Sequence, residues 1–340
     1  MSIIALSIAA AVFGLLIAGL VGMNAMAIGR GLGLLDHPDG GRKLHARPTP
    51  LVGGIAVAGA AVVGALLAFS NIADPHLVWL ALAVAAMFII GVIDDRRHLA
   101  PLLRLGVALL VLGSVVAVAP DFQLGVLRFS GASERLVLGG YFGLAFTLLC
   151  LVGLLNAVNM ADGKNGIVTG LGIVWTIVLA AHAAPPLWPL LAAVFTALLV
   201  IWGFNMRSKL FLGDGGSYLL SALFGLLAIL VYNGAGSNMF ADDVALLFAI
   251  PVFDTIRLMV ARIAGGRSPF HADRDHLHHH LFARIGWPLG LWIYMAIAAL
   301  PNFAALVWPG TGFGWLAISF IAYAVVMAMT RFSAEGRPAE

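Results

Sequence analysis

The charged and amide side chains of this chain are concentrated in five short clusters that interrupt long apolar segments. Carboxylates and amides can bind a divalent cation, guanidiniums and imidazoles can bind phosphate oxygens, and several of these groups can transfer protons. Charge close to a bilayer is energetically expensive and therefore usually marks a functional site. The clusters comprise residues 36–54, 94–97, 156–166, 213–217 and 267–280.

Two adjacent carboxylates, Asp94 and Asp95, follow the apolar run of residues 88–93 at the end of a predicted helix. Acids at a helix C-terminus oppose the helix dipole, so their position needs another explanation. Two neighbouring carboxylates suit a Mg²⁺ site or a general base, because like charges help one of them to keep a proton. The alternative is a solvated helix end with Arg96 and Arg97 as counter-ions.

The cluster of residues 156–166 carries more amide and carboxylate groups than a helix cap requires. Asn156 and Asn159 are three residues apart and therefore share one helix face. Asp162 follows them, and Asn165 with the next glycine is typical of a turn. The alternative is a capping loop in which Asp162 or Asn165 caps the next helix.

Residues 213–217 read Gly-Asp-Gly-Gly-Ser and open another predicted helix. As a functional motif, the glycines would let the backbone approach a phosphate group while Asp214 holds a metal ion. As a structural motif, Asp214 and Ser217 would form an N-cap.

The fifth cluster contains five histidines within ten positions, together with arginines. Imidazoles and guanidiniums in such a loop favour diphosphate binding. A zinc site fits less well, because cysteine ligands are absent and the arginines would repel the cation. A plain polar loop is the other alternative. In the first cluster, Lys43 and His45 can reach an anion, unless these charges only hold their loop on one side of the membrane.

Composition identifies the class of protein that must position these clusters. The chain has 340 residues, of which 61% are hydrophobic and 10% charged, whereas soluble domains carry about 25% charged residues. We therefore expect an all-α, polytopic integral membrane protein with a single domain spanning residues 1–340. The net charge of +3 does not predict a nucleic-acid partner, and the single cysteine excludes an internal disulfide. The apolar N-terminus is expected to be a retained helix.

Hydropathy and basic residues predict eleven spans and their orientation. One side of the membrane collects 17 of the 19 Lys and Arg residues, and the other has only Arg128 and Arg135. The positive-inside rule then places the N-terminus outside and the C-terminus in the cytoplasm. Residues 121–134 are expected to form an external hairpin or an irregular loop. The predicted spans are 3–28, 51–70, 76–93, 101–119, 137–158, 166–184, 186–204, 213–232, 243–261, 287–307 and 311–330.

With these clusters in this order, the chain resembles the polyprenyl-phosphate N-acetylhexosamine-1-phosphate transferases over nearly its whole length. Within this family, the chain resembles most the branch of bacterial undecaprenyl-phosphate GlcNAc-1-phosphate transferases. Residues 94–95, 156–166 and 213–217, with Ser-Pro-Phe at 268–270 and the histidines through 279, carry the resemblance. It implies a bundle of about ten or eleven helices with a cytoplasmic active site in the bacterial inner membrane.

The resemblance also implies roles for the acidic residues. Asp214 would hold a Mg²⁺ ion, for which Mn²⁺ is a possible substitute, and Asn159 would be a second ligand. Asp94 matches the residue proposed to activate the lipid phosphate. Asp95 would support Asp94 or the metal, and Asp162 matches an acid common in the bacterial members.

The remaining matched residues are expected to bind substrate. Many bacterial members have aspartate at the position of Asn165, where an amide can still hydrogen-bond the edge of a uracil. The expected substrate-binding residues are Lys43, His45, Arg104, Asn156, Asn165, Arg267, Arg274, His276, His278 and His279.

The implied reaction is transfer of GlcNAc-1-phosphate from UDP-GlcNAc to undecaprenyl phosphate with release of UMP, which starts a lipid-linked glycan such as O-antigen. One alternative is the same reaction with UDP-QuiNAc or UDP-FucNAc. A second is an ion-coupled transporter with Asp94, Asp95 and Asp162 as a proton relay. The expected partners are a UDP-N-acetylhexosamine, undecaprenyl phosphate and membrane lipids, and a homodimer is left open.

Overall fold

The computed structural model describes residues 1–38, 47–71, 73–269 and 274–331, and these form a nearly all-helical bundle. Lys43 and His45 lie outside the described residues. The helices are α1 Ile3–Met23, α2 Ala25–Leu32, α3 Gly53–Asn71, α4 Pro75–Arg97, α5 Pro101–Val118, α6 Gly140–Ala161, α7 Ile167–His182, α8 Trp188–Met206, α9 Gly213–Asn233, α10 Ala241–Leu247, α11 Ala249–Ala264, α12 Leu277–Ile285, α13 Leu289–Val307 and α14 Gly312–Arg331.

The prediction of an all-α polytopic membrane protein is confirmed. In the described part of the chain, nine helices are long and apolar enough to cross a membrane, or ten if α10 and α11, bent by 75° against each other, form one span. Helix α7 has 16 residues and is therefore about 24 Å long, shorter than a hydrocarbon core of about 30 Å. The count of eleven and the outside N-terminus remain predictions.

Helix α9 lies at the centre of the bundle and is buried along nearly its whole length. Beyond its first turn it is predominantly apolar all round, as expected of a helix enclosed by protein. Helices α3, α4, α6 and α7 pack around it. The start of α9 is therefore the point to which the ends of several other helices converge.

Glycines allow this close convergence at the start of α9. A Cβ atom at Gly91 of α4 would overlap the backbone carbonyl of Asp214, and one at Gly54 of α3 would overlap the backbone of Gly216. The glycines of residues 213–217 therefore let neighbouring helices approach the start of α9 closely, and their approach to a phosphate stays a prediction.

Two short antiparallel strand pairs complete the fold, β1 Leu35–Asp36 with β2 Thr49–Pro50 and β3 Val126–Arg128 with β4 Arg135–Val137. The second pair shows that the loop after α5 contains a hairpin. Tyr232, near the end of α9, accepts a hydrogen bond from the Arg128 backbone N–H at 2.7 Å and donates one to the Val126 carbonyl at 2.9 Å. The hairpin and the start of α9 therefore lie at opposite ends of this helix.

Candidate active site

Asp95 caps the N-terminus of α9 from a different helix. Its Oδ1 accepts a hydrogen bond from the backbone N–H of Asp214 at 2.8 Å, and its Oδ2 accepts one from Gly215 at 3.0 Å. The carboxylate is unfavourably placed for the dipole of its own helix, α4, but favourably placed for that of α9. The cap expected from Asp214 and Ser217 is thus supplied from 119 residues away.

Asp94 is held by three hydrogen-bond donors and is 2% exposed. Arg104 donates to its Oδ2 at 3.0 Å, Tyr218 donates to the same oxygen at 2.6 Å, and the Leu99 backbone N–H donates to Oδ1 at 2.7 Å. The alternative of a solvated helix end is therefore wrong for Asp94. Sequence reasoning missed Tyr218, although it lies one turn after Asp214 and so on the same face of α9.

Two asparagines from the end of α6 face this group. The Asn159 amide donates to Asp214 Oδ1 at 2.6 Å and lies 3.3 Å from Ser217 Oγ. Asn156 donates to the Val152 carbonyl of its own helix at 2.8 Å. A small open pocket between α5 and α6 reaches these side chains, and it is lined by Pro101, Arg104, Leu105, Leu155, Asn156, Asn159 and Tyr218.

Asp162 adds a third carboxyl group to the surroundings of Asp95 and Asp214. Burial raises the pKa of Asp162 well above its usual range, and the negative charges of Asp214 and Asp95 act in the same direction. The N-cap position of α7 is Gly166, which has no side chain, and its N–H donates to Asn205 Oδ1 at 2.7 Å. Neither Asp162 nor Asn165 caps α7, which leaves the Asp162 carboxyl group available to the site.

The histidine cluster lies against the same loop. His278 is 1% exposed, its Nε2 atom has no hydrogen-bond partner in the described part of the chain, and a Cβ at Gly163 would overlap its ring. Burial and the charges of neighbouring groups lower the pKa of His278 well below its usual value and that of His279 to about 4. Both rings are therefore neutral near pH 7. The histidine cluster therefore packs against Gly163, the residue directly after Asp162.

His276 is fixed by a residue that sequence reasoning did not identify. Its Nδ1 lies 2.9 Å from Oδ2 of Asp254, a buried acid on α11. Asp254 stands in an apolar helix outside the five clusters, so the only available signal was a charge within a predicted span.

The other predicted substrate-binding residues lie at different distances from this centre. Asn165 donates to Ser208 Oγ at 2.8 Å, and its backbone carbonyl accepts a hydrogen bond from Trp287 at 3.1 Å. Arg274 lies close enough to Lys164 and His279 for its charge to lower their pKa values, after burial as the larger cause. Arg267 is exposed just beyond α11, and the structure shows no contact between it and Asp214 among the described residues.

The donor set fits a magnesium ion that uses few protein ligands. No group of three or more His, Cys, Asp or Glu side chains in the described ranges forms a metal site by itself. Mg²⁺ is usually bound by one or two carboxylates together with substrate phosphates. Asp214 uses Oδ1 to accept the Asn159 amide, and Oδ2 has no hydrogen-bond donor among the described residues. The repulsion among Asp95, Asp162 and Asp214 is the kind that a cation relieves.

The chain is also similar to known proteins. Residues 77–232 match the family model for glycosyl transferase family 4, a segment that contains all the acids around the start of α9. An undecaprenyl-phosphate alpha-N-acetylglucosaminyl 1-phosphate transferase from Salmonella typhi is 31% identical, covering 75% of this chain and 71% of the relative. The corresponding protein from Escherichia coli O157:H7 is 33% identical, covering 77% and 72%.

A more distant relative is the probable undecaprenyl-phosphate N-acetylglucosaminyl 1-phosphate transferase of Bacillus subtilis strain 168, which is 26% identical and covers 74% of this chain and 70% of its own. The acidic cluster at the start of α9 and these similarities lead to one assignment. The chain belongs to glycosyl transferase family 4, together with these bacterial undecaprenyl-phosphate N-acetylglucosaminyl 1-phosphate transferases.

Proposed function

We propose that this protein transfers N-acetylglucosamine 1-phosphate from UDP-GlcNAc to undecaprenyl phosphate and releases UMP. The observation that carries the proposal is the meeting of two groups at the start of α9. One contains Asp94, Arg104 and Tyr218, and the other contains Asp95 and Asp214. The names of the family members support the acceptor and the transferred group.

The pocket beside Arg104 suits the phosphate of the lipid acceptor. It opens between two apolar helices and combines the leucine side chains of Leu105 and Leu155 with one guanidinium and the amides of α6. A phosphate monoester with a second pKa of about 6 is largely a dianion near pH 7 and is already nucleophilic. Because three donors hold Asp94, its main role in this proposal is to orient Arg104 towards that phosphate.

In the reaction, an acceptor phosphate oxygen forms a bond to the β-phosphorus of the UDP-sugar. The bond from that phosphorus to the bridging oxygen breaks, and UMP leaves with the bond electrons. Asp214, with Asn159, would hold the Mg²⁺ ion, or Mn²⁺ in its place, which supplies charge neutralisation for the diphosphate. In this proposal, neutral His279 and the nearby Arg274 would hydrogen-bond the donor's phosphate groups.

The charge distribution supports a cytoplasmic site in the bacterial inner membrane. Arg96, Arg97, Arg207 and Lys209 belong to the end of the bundle where α9 starts, whereas Arg128 belongs to the hairpin at the other end. Basic residues concentrate on the cytoplasmic side of membrane proteins. The acids also lie at helix ends instead of near a midplane, which does not favour a transporter.

The test is UMP release by the purified protein with undecaprenyl phosphate, Mg²⁺ and a panel of UDP-GlcNAc, UDP-QuiNAc and UDP-FucNAc. We expect the highest kcat/KM with UDP-GlcNAc and a loss of at least about 100-fold in Asp214→Asn. Asp242→Asn is the control, because Asp242 is a buried acid that binds Ser130 beside the hairpin, away from the start of α9. No UMP release with any donor, or full activity of Asp214→Asn, would contradict the proposal.

A further inference from the structure

Asp254 joins three helices through one buried carboxylate. It lies on α11 and is 5% exposed. Its Oδ1 accepts hydrogen bonds from the Tyr323 hydroxyl of α14 at 2.8 Å and from the Arg257 guanidinium at 3.1 Å. Its Oδ2 accepts from His276 Nδ1 at 2.9 Å. The Leu277 backbone N–H is shared between the two oxygens, at 3.2 Å from Oδ2 and 3.3 Å from Oδ1.

This arrangement repeats, at the histidine cluster, what Asp95 does at the start of α9. Helix α12 begins at Leu277, and its N-cap residue, His276, makes no capping hydrogen bond with its own side chain. Asp254 supplies the acceptor from another helix instead. The position of α12, and hence of His278 and His279, therefore depends on α11.

Tyr323 and Arg257 bind Oδ1 alone and His276 binds Oδ2 alone, whereas the Leu277 N–H is shared by both oxygens. The contact with Oδ2 fixes the position of the proton on His276. Because Oδ2 is an acceptor only, the imidazole must carry a proton on Nδ1. Nε2 is then the second ring nitrogen, and it has no hydrogen-bond partner in the described part of the chain. The ring stacks on His278 at a centroid distance of 5.3 Å and an angle of 10°. His278 in turn contacts the loop of Asp162 through Gly163.

We propose that Asp254 is a positioning residue that acts through His276, holding its Nδ1–H so that Nε2 faces the anionic donor diphosphate. The Nδ1–H···Oδ2 contact also fixes the plane of the imidazole ring and hence the direction of Nε2. The inference rests on the proposed function for the identity of that anion, whereas the Nδ1–H assignment rests on the contacts of Asp254 alone.

The different donors on the two oxygens of Asp254 predict a specific effect of Asp254→Asn. Tyr323 and Arg257 both donate to Oδ1, so the amide oxygen should take that position. The amide NH₂ group then faces His276 and donates to Nδ1, which forces the proton to Nε2. The variant should therefore hold a neutral ring with the opposite tautomer, as known for this exchange in a His–Asp pair.

The first experiment determines the tautomer of His276 and does not depend on enzymatic activity. Solid-state ¹⁵N NMR of histidine-labelled protein, with His276→Gln to identify the resonances, should show a protonated Nδ1 in the unmodified protein. In Asp254→Asn the proton should move to Nε2. An unprotonated Nδ1 in the unmodified protein, or an unchanged spectrum in Asp254→Asn, would overturn the inference even if the protein is a transferase.

The second experiment is a double-mutant cycle of UMP release. We expect His276→Gln to lower kcat/KM for the UDP-sugar by about 100-fold, Asp254→Asn by about 30-fold, and the double variant by no more than His276→Gln alone. KM for undecaprenyl phosphate should stay unchanged. Tyr323→Phe removes one hydrogen-bond donor to Asp254 and leaves the carboxylate and its contact with His276 in place. We expect this variant to lose less activity than Asp254→Asn. A loss of activity confined to Asp254→Asn would then not come from general disruption of the helix junction.

The matched control is Asp242→Asn, whose effect should multiply with that of His276→Gln because the two residues lie at opposite ends of the bundle. Multiplying effects for Asp254→Asn and His276→Gln would show that Asp254 acts independently of His276 and would overturn the inference. Inactivity of the unmodified protein with every donor would count against the proposed function and leave the NMR experiment to decide on Asp254.

Discussion

The carboxylate of Asp95 lies against the backbone N–H of Asp214, with 2.8 Å between Oδ1 and the nitrogen. The end of α4 and the start of α9 are therefore joined by a helix cap that also brings two acids together. The same contact accounts for Gly213, whose φ of +75° and lack of a side chain leave room for the Asp95 oxygens. This junction and the contacts around it suggest the following tests.

Asp95→Ala should destabilise the protein by about 2 kcal/mol, because two backbone N–H groups lose their acceptor. Asp95→Asn keeps one acceptor and should lose less. Thermal unfolding in detergent measures both, and Glu134→Gln at an exposed hairpin position is the control. If Asp95→Ala unfolds at the temperature of the unmodified protein, the carboxylate does not stabilise α9.

Tyr218→Phe should lower kcat/KM for undecaprenyl phosphate about tenfold, because the hydroxyl that contacts both Asp94 and Arg104 is removed. The KM for the UDP-sugar should change little. Tyr232→Phe is a control on the same helix, since that hydroxyl contacts the hairpin at the other end. Equal effects of the two substitutions would show that the Arg104 pocket does not hold the lipid phosphate.

Gly91→Ala should cost about 2 kcal/mol of stability and disturb activity, because the added methyl group overlaps the backbone of Asp214. Gly106→Ala on α5 is the control, since no neighbouring atom lies within 4 Å of its Cβ position. Unfolding temperatures and UMP release should fall for the first variant alone. A tolerated alanine at position 91 would mean that α4 and α9 can separate without loss.

The contribution of His279 to stability should fall as the pH drops from about 6.5 towards 4. The folded protein lowers the pKa of His279 from 6.5 to about 4 through burial and neighbouring positive charges, so the unfolded chain binds more protons in this window. His279→Gln should reduce the slope of unfolding temperature against pH, and His37→Gln at an exposed position should not. Identical slopes for His279→Gln and the unmodified protein would show that His279 is not held neutral.

Removal of magnesium should produce a difference in stability between Asp162→Asn and the unmodified protein. In EDTA, the amide removes repulsion from Asp214 and Asp95, so the variant should unfold at a higher temperature than the unmodified protein. Added Mg²⁺ should stabilise the unmodified protein more than the variant and narrow this difference. Asp242→Asn should respond to Mg²⁺ as the unmodified protein does. A magnesium effect that is the same in all three proteins would place the ion elsewhere.

The sequence by itself determined the class of fold and predicted the acids that meet at the start of α9, but not Tyr218 or Asp254. Long apolar segments require spanning helices, because an unpaired backbone is too costly in a bilayer. Their polar interruptions contained Asp94, Asp95, Asn159 and Asp214, which the structure brings together. Hydropathy could not settle the number of spanning helices, because an apolar segment can be surrounded either by protein or by lipid. Helix α7, which is short and buried by protein, is such a segment.

Only the tertiary structure decided which groups each acid contacts. Asp95 acts as a cap because α4 meets α9, and Asp254 orders the histidines because α11, α12 and α14 meet at its carboxylate. Tyr218 contacts Asp94 across 124 residues of sequence. Periodicity and composition describe the surroundings of one segment, whereas a hydrogen bond requires two groups within about 3 Å. That proximity depends on how whole helices pack, which local sequence does not encode.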